Sequence, residues 1–431
     1  MRDKTFVPRE YDVFAGLDVD KKSIAATFSS HQGFIRSLSM PYKVEDLLNH
    51  VRNHFADQKV AFAYEAGPTG YGLYDGLAAQ GYRCLIAAPS MIPRAPGQRV
   101  KTNRLDSKAL SESLRGGQLK SIHVPSPLYR QLRHLTQLRD TMMSEAVGMK
   151  QRIKSLLLFE GIAFPPAPAG SQWSFIVKAK LRKLPCSNTV RFKLDQLLDS
   201  LEFAEKQVFK STKEIRRFCQ TDPELSQCIQ YTMTVSGIGW IVASQLLARI
   251  GDWRELENIR QLGGFLGLVP MEHSTGDKTD RGPITHTGDG RLRSKLIQAA
   301  WSAIRKDGEL REFFRSVCQR HPRKVASRVA IVAVARKLSV RISVVLMKQR
   351  PYVVRQRVHS APLTQEETSP QGTTRRRREP GEAKDSYGST LETEIPGLCA
   401  LERGAFRVSV TALCRATHSS KSLFGREVKE S

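Results

Sequence analysis

The stretch FAGLDVDKKS, Phe14 to Ser23, decides the fold. Its apolar first half reads as a short strand that delivers one carboxylate, Asp18, and Asp20-Lys21-Lys22 then turns the chain. Ile24 to Phe28 reads as a second strand, His31-Gln32-Gly33 as a turn, and Phe34 to Met40 as a third strand. The result is an antiparallel meander with an acid on its first strand. An Asp near a strand end is either a turn residue or, where other acids join it, a metal ligand.

Outward from the meander, Val44 to Phe55 has helical spacing through Leu47, Leu48, Val51 and Phe55. Lys59 to Ala63 is an apolar run that ends in Tyr64-Glu65-Ala66-Gly67. Thr69 to Gln80 reads as a helix, with Tyr71, Leu73, Tyr74 and Leu77 on its face and Gly81 as its stop, and Arg83 to Ala88 is a further strand. The order β-β-β-α-β-α-β belongs to an α/β fold with a mixed sheet. It predicts that the first and fourth strands lie side by side, which brings Asp18 next to Glu65.

In Gly97 to Gly117, GQRVKTNRLDSKALSESLRGG, Asp106 sits at a helix start with Ala109, Leu110 and Leu114 on an apolar face. Arg99, Lys101, Arg104, Lys108 and Arg115 surround it. Asp106 is either an N-cap among surface ion pairs or a third metal ligand flanked by cations that hold phosphates. Clustered carboxylates suit Mg²⁺, a hard ion that takes oxygen ligands, and two such ions activate both sides of a phosphodiester.

From Leu128 the pattern turns helical. Leu128, Leu132, Leu135, Met142, Ala146, Met149, Ile153 and Leu156 alternate steps of four and three, with Arg139 the exception. That spacing predicts a coiled-coil-like helix or hairpin, ended by Pro165, Pro166 and Pro168. Phe192 to Phe218 is a second amphipathic helix, suited to antiparallel packing or dimerisation. In Thr232 to Arg249, the turn Ser236-Gly237-Ile238-Gly239 after Val235 has the form of a helix-hairpin-helix, whose Gly237 and Gly239 let backbone amides approach a phosphate. A plain glycine turn is the alternative.

The stretch Gly267 to Arg293, GLVPMEHSTGDKTDRGPITHTGDGRLR, joins Ser274 and Thr275 with Lys278, Arg281, His286, Arg291 and Arg293. It is too rich in glycine and hydroxyls to be core. A hydroxyl ringed by cations suits attack on phosphorus, and a loop that only grips DNA is the alternative. A helix follows at Leu292 to Ile304, and another spans Lys324 to Met347. Beyond Tyr352 the composition turns Ser/Thr/Pro/Glu-rich around Arg375 to Arg378, which reads as a disordered tail.

The net charge of +26 and a pI near 10.0 call for a polyanionic partner. Residues 351–431 hold 13 Lys/Arg against 10 Asp/Glu, so +23 of the charge lies in residues 1–350 and belongs to the folded part. Seven cysteines without a CxxC pair exclude an ordinary zinc finger and fit a reducing cytoplasm. No apolar run is long enough to span a membrane.

Four blocks in order carry a family resemblance: GLDVDKKS (16–23), YEAGPTGYGL (64–73), RVKTNRLDSKAL (99–110), and TVSGIGWIVASQLLARIGDW with GLVPMEHSTGDKTDRGPITHTGDGRLRSKLIQAAW (234–301). From about Asp12 to Tyr352 the chain resembles transposases of the insertion-sequence-110 family, whose N-terminal domain is ribonuclease-H- or RuvC-like and carries the acids DEDD. The resemblance puts those acids at Asp18, Glu65, Asn103 and Asp106. Asn stands where the family commonly has Asp, and it ligates through an uncharged amide oxygen. It puts the nucleophilic serine at Ser274, with Thr275 as the neighbouring alternative.

The resemblance implies a RuvC-like domain over 11–120, a coiled-coil region over 125–220, a helical transposase domain over 228–352 and a tail over 353–431. It implies Mg²⁺, donor and target DNA, a noncoding bridge RNA, and a homodimer or tetramer in which one subunit's acids work with another's serine. Lys101, Arg104, Gly237, Gly239, Lys278, Arg281, Arg291 and Arg293 are the expected nucleic-acid contacts. A cytoplasmic, nucleoid-associated protein is expected. The competing readings are a structure-selective nuclease that uses the same acids with water, and a noncatalytic nucleic-acid-binding remnant.

Overall fold

Strand β1, Val13–Val19, runs through the middle of a five-stranded sheet of order β3-β2-β1-β4-β5. Residues 13–17 are all buried, so the strand shows no polar alternation; helices cover both of its faces. β2 (Ser23–Ser30) pairs antiparallel with β1, and β3 (Gly33–Pro41) antiparallel with β2. β4 (Val60–Glu65) and β5 (Arg83–Ala87) extend the other side in parallel. The mixed sheet, and the adjacency of β1 and β4 within it, are those expected from the sequence.

The coordinates are a computed structural model that describes residues 6–89, 92, 102–167, 172–272 and 281–353. Lys101, Ser274, Thr275, Lys278 and the tail with Arg375 to Arg378 lie outside the described residues, and the side chain of Arg281 does as well.

Helices α1 (Val44–His54) and α2 (Gly72–Ala79) cover one face, burying Leu47, Val51, Leu73 and Leu77 against Leu17, Phe28, Phe62 and Ile86. α2 starts three residues later than the spacing predicts, because Gly70 takes a left-handed turn (φ +70) just before it. Helix α3 (Asn103–Arg115) covers the other face, with Leu110 and Leu114 on Phe14, Ala61, Ala63 and Leu85.

The remainder is almost wholly helical. α4 (Pro127–Phe159) and α6 (Asn188–Gln220), 33 residues each, pack antiparallel, with α5 (Phe175–Arg182) beside them. The direction is read from two contacts: Arg139 Nε donates to Thr212 Oγ1 at 3.0 Å, and Lys150 pairs with Glu205 at 2.7 Å. Arg139, the break in the heptad pattern, thus has a polar partner across the seam. Ala146, Ile153 and Leu157 meet Leu194, Leu198 and Leu201 in a separate core.

At its base α4 enters a second helical core. Tyr129 and Leu132 join a cluster built from α7 (Pro223–Met233), α8 (Trp240–Ile250), α9 (Gln261–Phe265), α10 (Gly290–Lys306), α11 (Gly308–Gln319) and α12 (Arg323–Lys348). α4 also fastens to the sheet domain. Arg130 grips Asp75 with two bonds of 2.7 and 2.9 Å and lies 5.2 Å over the Tyr71 ring. A short hairpin the sequence did not announce, β6 (Pro270–Glu272) and β7 (Arg281–Ile284), projects beside the helical core. Among the described residues, no helix is long and apolar enough to cross a membrane.

Candidate active site

Parallel pairing of β1 with β4 sets Leu17 opposite Tyr64, so Asp18 and Glu65 follow at the same level on neighbouring strands. Side chains alternate along a strand. Phe14, Gly16 and Asp18 share one face of β1, and Ala61, Ala63 and Glu65 the matching face of β4. Phe14, Ala61 and Ala63 pack on Leu110 and Leu114, so this face is the one α3 covers.

α3 runs antiparallel to β1, and its polar contacts fix that direction. Ser111 donates to the carbonyl of Phe14 at 2.8 Å and meets the hydroxyl of Ser29. One turn earlier, Ser107 bonds Thr27 at 2.8 Å, and Thr27 reaches Ser37 at 3.1 Å. Thr27 pairs with Gly16 in the sheet. A Cβ on Gly16 would collide with the backbone of Ser107 and Ser111. Glycine therefore lets the helix lie directly on the strand.

Continued by one more turn, this alignment carries the N-terminus of α3 to the end of β1 that bears Asp18. Thr102 caps the helix, accepting from Leu105 N at 3.3 Å. Asp106 is thus not the cap that one reading of the sequence allowed, since Thr102 precedes it and offers the better-placed oxygen. Asp106 lies in the first turn, where the positive end of the helix dipole favours a carboxylate. Asn103 opens the helix and is exposed, as is Arg104.

Asp18, Glu65 and Asp106 are each half-buried. They do not form one tight group: among the described residues, no three His, Cys, Asp or Glu side chains come close enough together to hold a metal ion. The donor chemistry, oxygen only, still matches a hard divalent ion.

Tyr64 is a contributor the sequence reading passed over. Its hydroxyl donates to the carbonyl of Gly70 at 3.0 Å and ties down the loop that follows Glu65; burial holds the phenol well above its ordinary pKa. Nothing in the apolar run VAFAY distinguishes it from core.

The C-terminal candidates sit in the other core. The turn 234–239 joins α7 to α8. Gly237 has φ +85, and a Cβ there would strike the carbonyl of Ala299 on α10, so this glycine serves packing within the chain. Gly239 caps α8 and has open space around it. Ser236 donates to Asp307 at 3.3 Å, which pins the turn from beneath.

The hairpin β6–β7 frames the stretch 273–280, which includes Ser274. Its footing is a pair of crossing loops. A side chain on Gly267 (φ +63) would strike the carbonyl of Thr287, and one on Gly288 (φ +80) the carbonyl of Phe265. Arg293 Nη1 donates to the carbonyls of Leu266 and Thr287 at 2.8 and 3.2 Å, so its guanidinium is used to lock these loops. Asp289 caps α10 through Arg291 N and Leu292 N at 2.9 and 3.1 Å and holds Arg249 at 3.0 Å. The side chain of Arg291 is exposed, as a phosphate contact requires.

Comparison with known proteins agrees with both halves. A family model described as "DEDD_Tnp_IS110: Transposase" matches residues 15–160, and one described as "Transposase IS116/IS110/IS902 family" matches residues 229–315. The chain is 30% identical over 300 residues to a putative transposase, y4qE, of Sinorhizobium fredii, covering 68% of this chain and 72% of that one. It is 28% identical over 247 residues to the transposase for insertion sequence element IS1328 of Yersinia enterocolitica, covering 56% and 71%. A probable family 20 transposase of Pseudomonas aeruginosa is 26% identical over 263 residues, covering 60% and 75%.

Proposed function

The chain belongs to the IS110 family of DNA transposases, and from that premise we propose that it cuts, exchanges and rejoins DNA strands with two sets of residues carried on separate cores. The observation that carries the proposal is the placement of Asp18 and Glu65 at the same level on adjacent parallel strands, on the face that α3 covers with Asp106 in its first turn. That layout supports a RuvC-like reading of the N-terminal domain, within residues 11–120.

The family generally works with divalent ions. Here Asp18, Glu65 and Asp106, with the amide oxygen of Asn103, would hold Mg²⁺, and the open arrangement of the acids means they would close on it. Bound there, the ion supplies Lewis-acid activation of a phosphodiester. The residues of the chain do the rest. The N-terminal amides of α3 and the basic Lys101 and Arg104 orient a phosphate, while the loop held by Tyr64 keeps Glu65 in line.

Ser274, which falls between β6 and β7 in the sequence, is the proposed nucleophile. Its oxygen attacks phosphorus, its proton leaves, and the strand end departs as a free 3′-hydroxyl that later reverses the step. Lys278, Arg281 and Arg291 would stabilise the charge added at phosphorus. Gly239 would hold the backbone of the α7–α8 hairpin open to a phosphate; this and the glycine turn support a helix-hairpin-helix reading in the domain 228–352. The arm over 125–220 is read as a coiled coil that assembles a dimer or tetramer, with a noncoding bridge RNA and donor and target DNA as partners, in a cytoplasmic, nucleoid-associated complex.

A strand-cleavage assay on a plasmid bearing the element's ends tests the core of this reading. Asp18→Ala, Glu65→Ala and Asp106→Ala should each abolish ion-dependent cleavage while the melting temperature holds. Ser274→Ala should lose a covalent protein–DNA adduct that Thr275→Ala keeps. Full-rate cleavage by Ser274→Ala would leave a nuclease that uses water instead.

A further inference from the structure

The outward side of α6 carries a feature that neither core uses. Phe192, Phe203, Lys206, Lys210, Lys213 and Arg217 fall on one line of alternating four- and three-residue steps, completed by positions 196 and 199, and every position on it is exposed. Phe192 is 68% exposed and Phe203 61%. Phe209, 73% exposed, adjoins Lys206 and Lys213 at one helical turn on either side. The line stands about 200° around the helix from Leu194, Leu198 and Leu201, which pack on α4, so it faces away from the arm's own partner. It extends about 38 Å.

Its charge is one-sided. Asp199 is its single acid and is already bound to Arg182 at 2.6 Å. Nearby, Glu205 is taken by Lys150 and Lys178, and Glu214 by Arg217. Among the described residues, Lys206, Lys210 and Lys213 form no ion pair. Two bare phenyl rings thus lead into three unneutralised ammonium groups along one helix, with Phe209 beside Lys206 and Lys213.

We propose that this face of α6 binds an unpaired DNA strand, with the phenyl rings stacking on bases and the lysines following the phosphates. Every base offers a π face whatever its identity, so rings and cations on one face grip a strand without reading its sequence. A duplex keeps its bases stacked inside and would leave the rings in water. Pairing two copies in parallel through this face would bring the unpaired lysines of both into one seam, so the copy-to-copy contact proposed for the arm is expected elsewhere on it. The proposal rests on the reading of the chain as a DNA transposase, whose strand exchange passes through unpaired segments.

The test uses the full chain and a single-stranded DNA oligonucleotide substituted with 5-iododeoxyuridine, irradiated and mapped by mass spectrometry. Crosslinks are expected at Phe192, Phe203 or Phe209. Phe192→Ala and Phe203→Ala should each weaken single-strand binding at least about fivefold and leave duplex binding unchanged. Lys206→Ala with Lys210→Ala should reduce the slope of log affinity on log salt by about 1.4 for single strands. Crosslinks confined to other segments, unchanged binding by the Phe variants, crosslinking to RNA but not DNA, or a change of oligomeric mass in those variants would each overturn the proposal. Asp18→Ala protein separates the two readings: it should keep the crosslink while losing cleavage. Cleavage that survives Asp18→Ala would count against the assigned active site alone.

Discussion

Gly16 is the residue at which one methyl group matters most. The α3 backbone lies where a Cβ would stand, so Gly16→Ala must push the helix off the strand. Overpacking against backbone costs about 1–3 kcal/mol, and the displaced element carries Asn103 and Asp106. A calorimetric scan should show a lower melting temperature, and strand cleavage should be lost with it. Asn103→Asp makes the opposite kind of prediction. It adds a carboxylate at an exposed helix start, where the dipole favours negative charge. Cleavage should then reach half its maximum at a lower Mg²⁺ concentration, with the melting temperature unchanged or slightly raised. The placement of Asp18 and Glu65 near strand ends and of Asp106 near a helix start was readable because acids there stand out against an apolar pattern. The contacts that mount them were not. Ser107 and Ser111 look like solvent-facing helix residues, yet both are fully buried and bonded to the hydroxyls of β2.

At the scale of elements, α1 should be acid-sensitive. His50 stacks on His54 at 4.3 Å and meets the tilted Phe28 ring at 5.4 Å, and its Nε2 is buried without a hydrogen-bond partner. Burial, then the neighbouring charges of His54 and Arg36, hold its pKa below the usual 6.5. The folded state therefore binds fewer protons than the unfolded chain once the pH drops below 6.5, and stability falls from there toward the lowered folded value. Melting curves of His50→Leu should show a flatter loss between neutral pH and mild acid than the parent.

A second element-scale prediction concerns α11 and α12. Asp307 caps α11 at Leu310 N and binds Arg341 at 2.6 Å, with both side chains almost wholly buried. Arg341→Met leaves a buried carboxylate unpaired and should cost about 3–5 kcal/mol, read by urea denaturation; adding Asp307→Leu should restore part of it. Helices with long periodic patterns, α4, α6, α10 and α12, were legible from sequence. The strands β6 and β7 were not, since three or four residues carry too little periodicity to mark a strand. α7 and α11 were passed over although each has a stripe behind its start signal: Leu225, Cys228 and Ile229 after Pro223, and Leu310, Phe313, Phe314 and Val317 after Asp307.

Over the whole molecule, charge and connectivity decide behaviour. With +23 in residues 1–350, DNA affinity should fall steeply with salt, by at least about a thousandfold between 50 and 200 mM if six or more phosphates are contacted. Filter binding across that range checks it. Removing residues 358–431 should leave both the slope and the cleavage rate close to those of the full chain, since both family matches and all described elements lie before residue 358. The crossing of the loops at Gly267 and Gly288 has a separate consequence for how such a protein diversifies. The glycines and Arg293 that clamp the footing of β6–β7 all lie outside residues 273–280. A chain in which 273–280 is replaced by a relative's segment is therefore expected to keep the melting temperature of the parent.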